Sequence, residues 1–361
     1  MRDRMRTAVV SPQRGPVSGG NVATRNDVAR AAGVSTAVVS YVLNNGPRPV
    51  AAATRAKVLR AIEELGYRPN GVARSLRTNR TRVVALIIPD MANSYFAQLS
   101  REVELAAFSR DFTLVVGNTM DDTERGLLYA QSFMERRVDG VIFVSSGADV
   151  EIIDLLTAAD VPVVSIDRDV PVGNVSSVRV DNRHGGYLAT RHLIGHGHRR
   201  IACLAGPPTV GNAVDRRKGW EAALREAGLR APARLAATSP SFSREAAYRS
   251  TLRLLGYRQP PTAIFATADE QALGVYRAAA ATGRRIPEDL AVVSFDSAET
   301  APYLVPGLTA VRQPIDQIAR HAIDRLQDRL ARPPRPTTRD TLPIDLVLRG
   351  SCGCNDSEPD V

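Results

Sequence analysis

Residues 24–44, TRNDVARAAGVSTAVVSYVLN, decide the fold of the N-terminal part of the chain. Thr24 and Ser35 each stand where a helix can begin, because a hydroxyl side chain accepts a hydrogen bond from the free backbone N–H groups of a first turn. Gly33 separates the two segments, and glycine ends helices readily because it adopts left-handed backbone angles without strain. Two short helices joined by a glycine-containing turn predict a helix-turn-helix.

A third amphipathic helix is predicted over residues 54–65. Its expected apolar face consists of Val58, Leu59, Ile62 and Leu65. In a helix-turn-helix, the second helix enters the major groove of DNA, and the side chains near its N-terminus meet the base edges. The candidates for DNA contact on that helix are Thr36, Ala37, Ser40, Tyr41 and Asn44. A three-helix bundle that binds another protein is the alternative that this pattern leaves open.

The positive charge of the chain is concentrated at its N-terminus. Residues 1–82 hold 15 Lys and Arg against 4 Asp and Glu, whereas the remainder holds 32 against 34. A compact cationic region joined to a nearly neutral one is the electrostatic footprint of a nucleic-acid-binding module. We therefore predict a DNA-binding domain over 22–68, followed by a basic hinge helix and linker over 69–81. Leu76 lies in this linker, and apolar side chains of this kind can wedge into the minor groove.

Seven continuous apolar runs follow, at 83–88, 112–117, 140–144, 161–166, 200–205, 263–266 and 291–295. Runs rich in Val and Ile are typical of strands that are buried on both faces, hence of parallel sheets. The helical stretches between them favour right-handed βαβ units. Because the strands outnumber those of one small sheet, we predict two lobes within residues 82–350. The expected fold class is an all-α helix-turn-helix headpiece plus an α/β two-lobed domain with parallel doubly wound sheets.

Polar and aromatic side chains stand just after several of these runs. Ligands of open parallel sheets bind beyond the carboxyl ends of the strands. Aromatic faces combined with carboxylates suit a polyhydroxylated ligand, such as a sugar or a nucleoside. The candidates for effector contact are Ser94, Tyr95, Phe96, Asp167, Asp269 and Asp296. Each of them taken alone could equally be a helix cap or a loop residue.

The run at 24–45, followed by TRAKVLRAIEELGYRPNGVARSLRT at 54–78, resembles the lactose/galactose repressor family. The resemblance implies that Thr36, Ala37 and Tyr41 read bases. It also implies that Ser35, Ser40 and Thr54 lie near phosphates, and that Leu76 is the hinge wedge. Val38 and Tyr41 stand where the family usually has Thr and Arg, so an operator sequence is not carried over from a relative.

The larger domain resembles the periplasmic-binding-protein-like domain of the same family, through IIPDMANSYF at 87–96 and VDNRHGGYLATRHLIGHGHRRI at 180–201. The resemblance implies that Arg216 lies against the effector, that Phe242 forms an aromatic wall and that Asp296 accepts effector hydroxyls. Ala268 stands where many relatives have Asn. We expect lobe 1 at about 82–179 and 312–340, lobe 2 at about 180–311 and 341–350, and a tail at 351–361.

The cysteines and histidines give no metal prediction. Cys203 lies in an apolar run and is expected in the core, whereas Cys352 and Cys354 form a Cys-x-Cys pair in the predicted tail. A zinc or redox role for that pair is an alternative. The histidines at 192, 196 and 198 have no cysteine or carboxylate nearby in the chain to complete a site. We therefore predict no metal site and no cofactor.

These features together predict a cytoplasmic, nucleoid-associated repressor that binds a palindromic operator as a homodimer and responds to a small-molecule effector. We predict no enzyme activity, since the sequence has no nucleophile motif or phosphate loop. Residues 1–21 are expected to be a disordered leader and not an export signal, and no apolar run is long enough to span a membrane. The alternatives are a solute-binding receptor, an enzyme with a DNA tether, and a repressor that responds to a protein partner.

Overall fold

The computed structural model describes residues 23–44, 48–68, 75, 78–144, 150–167, 175–331 and 333–355. The chain divides into two compact units, 1–79 and 80–361. The predicted leader at 1–21 and the predicted wedge Leu76 lie outside the described residues. No described helix is both long enough and apolar enough to cross a lipid bilayer.

The first unit contains the helices α1 (Arg25–Ala32), α2 (Thr36–Asn44) and α3 (Ala52–Glu64). Thr24 begins α1 through a capping box, in which the backbone N–H of Thr24 donates to Asp27 Oδ2 at 2.9 Å and the Asp27 N–H donates to Thr24 Oγ1. Gly33 follows α1 with a φ of 65°, as its predicted turn position requires. The buried core consists of Val28, Ala29, Val39, Val42, Val58, Ala61 and Tyr67.

The expected apolar face of α3 is wrong at two positions. Leu59 is 48% exposed and Leu65 is 40% exposed, whereas Ala61 is buried beside Val58. Leu59 follows Val58 by one residue, which rotates its side chain about 100° away from the core-facing direction. Leu65 stands at the C-cap, beyond the last helical residue. The headpiece core is therefore smaller than the sequence pattern predicts.

The second unit contains two six-stranded sheets in its described residues. The first has the order β11-β5-β4-β3-β1-β2, with β1 (Val83–Ile88), β2 (Thr113–Asn118), β3 (Gly140–Val144), β4 (Val163–Ile166), β5 (Ser176–Val180) and β11 (Arg339–Leu342). Its neighbouring strands are parallel throughout. The helices of this lobe are α4 (Ser94–Phe108), α5 (Thr123–Glu135), α6 (Val150–Ala158) and α11 (Ile315–Leu330).

The second sheet has the order β12-β10-β9-β8-β6-β7, and only β12 runs antiparallel to its neighbour among the described strands. Its strands are β6 (Ile201–Ala205), β7 (Ala236–Thr238), β8 (Ala263–Ala266), β9 (Ala291–Asp296), β10 (Thr309–Arg312) and β12 (Asp345–Val347). The helices of this lobe are α7 (Asn182–Gly195), α8 (Gly211–Glu226), α9 (Arg244–Leu255) and α10 (Asp269–Ala281). The prediction of two lobes built on parallel sheets is confirmed.

The predicted tail begins too early. Residues 350–352 form a short 3-10 helix that is buried against the second sheet. Ser351 Oγ accepts from the Thr309 N–H at 2.8 Å and donates to the Val292 carbonyl oxygen at 2.7 Å. These bonds satisfy backbone groups of the sheet that are cut off from water, where an unpaired group would be costly. The fold of lobe 2 therefore continues past residue 350.

Helices α7 and α8 cross with their backbones in direct contact. A Cβ atom added at Gly186 would lie 2.1 Å from the carbonyl oxygen of Arg216, and one added at Gly219 would lie 2.1 Å from that of Arg183. Real side chains do not fit at such distances, and the neighbouring atoms are backbone that cannot rotate away. The two glycines therefore set how closely α8, which carries Arg216, approaches α7.

We expect Gly219→Ala to lower the free energy of unfolding by about 2 to 3 kcal/mol or more, because overpacking a fixed contact forces the helices apart. Gly195 on α7 is the matched control, since a Cβ added there meets nothing within 4 Å. Gly195→Ala should be neutral or stabilising by up to about 1 kcal/mol. Urea unfolding of both variants measures the difference, and equal stabilities would contradict the close crossing.

Candidate nucleic-acid interface and ligand cleft

Helix α2 turns a polar face away from the headpiece core. Thr36 and Ala37 are exposed and Ser40 and Tyr41 are half-buried, whereas Val39 on the other side is buried. Spacings of three and four residues place the first four on one helix face. Ser35 Oγ accepts from the Val38 N–H at 3.4 Å, as expected of a residue that caps the helix. The side chain of Asn44 lies outside the described residues.

The described part of the first unit also carries seven exposed cationic side chains: Arg25, Arg30, Arg48, Arg55, Lys57, Arg60 and Arg68. Thr54, in the first turn of α3, is half-buried. Cationic side chains of this kind neutralise phosphates, whereas the polar face of α2 can reach base edges. The arrangement fits the predicted roles, and the individual DNA contacts stay predictions.

A cleft lies between the two lobes of the second unit. Two adjoining cavities of about 390 Å³ and about 550 Å³ share Asp167 and Asn212 in their walls. Phe96 from lobe 1 and Phe242 from lobe 2 line the smaller cavity together. The larger cavity is walled mostly by polar residues of β5, α7 and α8. A cleft of this size and polarity can hold a small polar ligand.

A buried guanidinium lies beside the cleft. Arg216 is 3% exposed, and its Nε donates to Asn182 Oδ1 at 2.8 Å. Its Nη1 donates to the Thr267 carbonyl oxygen at 2.7 Å and lies 3.5 Å from Asp296 Oδ1. The guanidinium also sits 3.7 Å from the centroid of the Phe295 ring, in a cation–π contact. Buried charges persist only when they are paired in this way.

Two carboxyl groups share this buried region. Burial raises the pKa of Asp296 to about 7, against the opposing effect of the Arg216 guanidinium. Gln313 Nε2 donates to Asp296 Oδ1 at 2.8 Å. Burial also raises the pKa of Asp269 to about 6, although Ser294 Oγ and the Ala298 N–H both donate to its carboxylate. Both carboxyl groups therefore hold their protons more tightly than in water, and this lowers the negative charge beside the cleft.

The structure distributes the predicted effector residues between the cleft wall and the layer beneath it. Phe96, Asp167 and Phe242 line the cavities. Arg216 and Asp296 form the buried pair, and Asp269 binds the loop that follows β9. Tyr95 is buried, with its hydroxyl 3.4 Å from Gln313 Oε1.

Sequence reasoning missed Glu270, which joins the two lobes. Its Oε1 accepts from the Ser94 N–H at 3.2 Å and from Ser94 Oγ at 3.0 Å. Its other oxygen accepts from Arg244 Nε. Glu270 also lines the smaller cavity. In the sequence it is indistinguishable from an acidic residue in the first turn of any helix, so no local signal could have identified it.

The reason for predicting no metal site was wrong. No cysteine stands near the histidines along the chain, but the structure brings Cys352 and Cys354 against His192 and His196. Residues 352–354 lie against α7, over a sequence separation of about 160 residues. His198 instead bonds to Thr262 Oγ1 at 3.0 Å.

The Asp296 carboxyl gives the protein a pH-dependent stability of defined sign. Its pKa of about 7 in the folded state exceeds the value of about 3.9 in an unfolded chain, so the folded state holds this proton more tightly. Its stabilising contribution is therefore fully present below about pH 4 and is lost as the pH rises toward about 7. Between about pH 5 and pH 8 the free energy of unfolding of the wild type should therefore fall. In Asp296→Asn, whose side chain does not titrate, that fall should be smaller by about 1 to 3 kcal/mol. Urea unfolding across this range measures it, and equal slopes would contradict the raised pKa.

Family models match both units. The model described as bacterial regulatory proteins, lacI family, matches residues 24–70, and the model of a periplasmic binding protein-like domain matches residues 190–352. The ribose operon repressor of Escherichia coli (strain K12) is 36% identical over 331 residues, which cover 91% of this chain and 100% of the relative. The HTH-type transcriptional repressor PurR of Vibrio atlanticus is 36% identical over 310 residues, covering 86% and 92%.

Solved structures agree with these relatives. The Lac repressor dimer bound to operator and the anti-inducer ONPF superposes with a TM-score of 0.80 at 28% identity, covering 92% of this chain and 99% of that chain. The complex of the transcriptional regulator CelR with cellobiose gives a TM-score of 0.70 at 33% identity, covering 91% and 99%. The chain belongs to the lacI family of bacterial regulatory proteins, and it is a DNA-binding transcriptional regulator.

Proposed function

We propose that this protein represses transcription as a homodimer on palindromic operator DNA, in the cytoplasm at the nucleoid, under the control of a sugar-like or nucleoside-like effector. The observation that carries the proposal is a polar cleft between two lobes, next to a buried guanidinium and two carboxyl groups. Such a site suits a neutral ligand with many hydroxyl groups. The open face of α2 supplies the DNA-reading surface in the same chain.

The walls of the smaller cavity favour a sugar or a nucleoside over other small metabolites. Phe96 and Phe242 offer aromatic faces from opposite lobes, against which a sugar ring or a base can pack. Asp90, Asn93 and Asn212 offer oxygens and amide groups for hydroxyls. Among the relatives, one regulates the ribose operon, one structure holds cellobiose, and a lacI-family regulator from Enterococcus faecium, 29% identical with a TM-score of 0.68, holds ribose.

Within this proposal, the predicted effector residues have three roles. Phe96, Asp167 and Phe242 contact the ligand from the cavity walls. Arg216 and Asp296 offer charge and hydrogen-bonding groups from the buried layer beside the cleft. Ser94, Tyr95 and Asp269 hold the lobes and loops that shape the cleft, as their bonds to Glu270, Gln313 and Ala298 favour.

The DNA-binding residues keep the roles that the family pattern implies. We propose that Thr36, Ala37 and Tyr41 meet bases, that Ser35, Ser40 and Thr54 meet phosphates, and that Leu76 enters the minor groove. Asn44, further along α2, is a further candidate for DNA contact. Residues 22–68 then form the DNA-binding domain and 69–81 the hinge. Two copies of α2 about one DNA turn apart would read the two halves of a palindrome.

Control requires that the effector prefer one arrangement of the lobes. The bonds from Ser94 to Glu270 cross the cleft and hold the lobes together. A ligand that strengthens or replaces these bonds shifts the population of protein with closed lobes. A tenfold change in operator affinity requires that the effector bind one state more strongly than the other by about 1.4 kcal/mol. An inducer favours the state that binds DNA poorly, and a corepressor favours the other.

A thermal-shift screen of the full chain against sugars and nucleosides, followed by operator selection from genomic fragments, tests the proposal directly. We expect one chemical class to raise the melting temperature and to change the affinity for the selected duplex. Protein that selects no duplex in low or high salt, with or without the screened compounds, would refute the proposal.

Tyr41→Ala should weaken binding to the selected operator by about 1 to 3 kcal/mol, because it removes a side chain that meets base edges. The salt dependence should stay unchanged, since Tyr41 carries no charge to neutralise a phosphate. Fluorescence anisotropy with operator and scrambled duplexes gives both values. Tyr257→Ala, which alters a partly exposed tyrosine of the second unit, is the matched control. The assignment fails if Tyr41→Ala discriminates between the two duplexes as well as wild type does.

Phe242→Ala should lower the affinity for the effector about tenfold, because one aromatic wall of the cavity is lost. Operator binding without effector should change little, since the substitution leaves the first unit intact. Isothermal titration with the compound found in the screen measures the effect, again with Tyr257→Ala as control. Unchanged effector affinity would remove Phe242 from the site.

A further inference from the structure

Four potential metal ligands meet at the end of α7 that is remote from the cleft. His192 Nε2 lies 3.1 Å from Cys352 Sγ and 3.8 Å from Cys354 Sγ. His196 Nε2 lies 3.3 Å from Cys354 Sγ. All four ligand atoms lie within 4.8 Å of one another.

Local sequence explains why these side chains converge. His192 lies in the last turn of α7 and His196, four residues later, is its C-cap. Their rings therefore lie on the same side of the helix, 4.6 Å apart between centroids. Gly353 separates the two cysteines and has a φ of 94°, a left-handed angle that glycine adopts without strain. This turn brings the thiols of Cys352 and Cys354 toward the same point, although they stand two residues apart.

We propose that His192, His196, Cys352 and Cys354 bind one zinc ion. Zinc prefers four tetrahedral ligands, with bonds of about 2.3 Å to sulfur and about 2.0 Å to nitrogen, which places the ligand atoms roughly 3.3 to 3.8 Å apart. The sulfur–nitrogen distances of 3.1, 3.3 and 3.8 Å lie close to that range. Two thiolates and two imidazoles select zinc over magnesium or calcium, which take oxygen ligands. An iron–sulfur cluster spreads its ligands over two or more irons, and this cluster is too compact for one.

The surroundings of the site support metal binding. Thr309 Oγ1 lies 3.1 Å from Cys352 Sγ and 2.8 Å from the Arg349 carbonyl oxygen. A hydroxyl this close to the sulfur is the kind of outer contact that orients a metal-binding thiolate. His196 is exposed and Cys354 is partly exposed, which leaves a path for the ion to enter.

The ion would join the end of the described chain to α7. The 14-residue helix spans about 21 Å. At its other end Asn182 bonds to Arg216 beside the cleft. Because the two sites occupy opposite ends of one helix, zinc would stabilise lobe 2 without touching the effector. Ser351 is the neighbour of Cys352 in the chain. Zinc bound to Cys352 would therefore also stabilise the hydrogen bonds of Ser351 to the second sheet.

The test uses the full chain, purified without a histidine tag and kept reduced. We expect one zinc per chain by elemental analysis after gel filtration. Protein stripped with a chelator should take up one equivalent of zinc in competition with a chromophoric chelator, and its melting temperature should rise. Cobalt in place of zinc should give the strong visible bands of a tetrahedral ion and a thiolate charge-transfer band.

Variants separate the site from the rest of the fold. Cys354→Ser and His196→Asn alter the more exposed ligands, and each should weaken zinc binding at least tenfold and abolish the rise in melting temperature. His198→Asn and Cys203→Ala are the matched controls, since both residues lie outside the cluster, and both should keep one zinc. The proposal is overturned if reduced wild-type protein binds zinc no better than Cys354→Ser does, or if the cobalt-loaded protein shows no thiolate band. It is also overturned if the two cysteines are found as a disulfide and the protein binds no zinc after that disulfide is reduced.

Discussion

The buried charge of Arg216 is the constraint on which the architecture of the larger unit depends. A guanidinium that is 3% exposed is tolerated only while its N–H donors have partners. Those partners come from separate parts of the chain: Asn182 at the start of α7, Thr267 after β8 and Asp296 at the end of β9. The side chain reaches them because Gly186 and Gly219 let α8 touch α7. One buried cation therefore fixes the positions of two helices and two strand ends at once.

The strands that coincide with apolar runs could be predicted from sequence, whereas those next to the crossings between the lobes could not. Runs such as 83–88 and 291–295 are apolar because both faces of the strand are buried. Four strands next to the crossings are short and partly polar, and their sequences show no clear alternation of apolar and polar residues. They are β5 (SSVRV), β10 (TAVR), β11 (RDTL) and β12 (DLV). Their place in the sheets is set by pairing with distant strands, such as β11 with β5 and β12 with β10, and local patterns do not encode such pairings.

The residues of the candidate sites also divide into those that could be predicted from sequence and those that could not. Residues just beyond strand ends, such as Asp167 and Asp296, could be picked out because parallel strands deliver their carboxyl ends to one edge. Glu270 and Gln313 were missed because a first-turn acid and a loop amide carry no distinctive pattern. The histidine–cysteine cluster was missed for a different reason. Its two halves are about 160 residues apart in the chain, and they meet because residues 350–354 return to lobe 2.

The buried pair also explains how the cleft can act on the lobes. The described chain passes between the sheets at residues 180–182, 312–315 and 342–345. Asn182 in the first crossing bonds to Arg216, and Gln313 in the second bonds to Asp296. In the third, Ile344 packs near Gly185 beside the Phe295 ring that covers the guanidinium. In the function proposed above, a ligand that changes the hydrogen bonds of Asp296 would act on groups that belong to the crossings themselves. Its binding energy would then bias the arrangement of the lobes without passing through the cores of the two sheets.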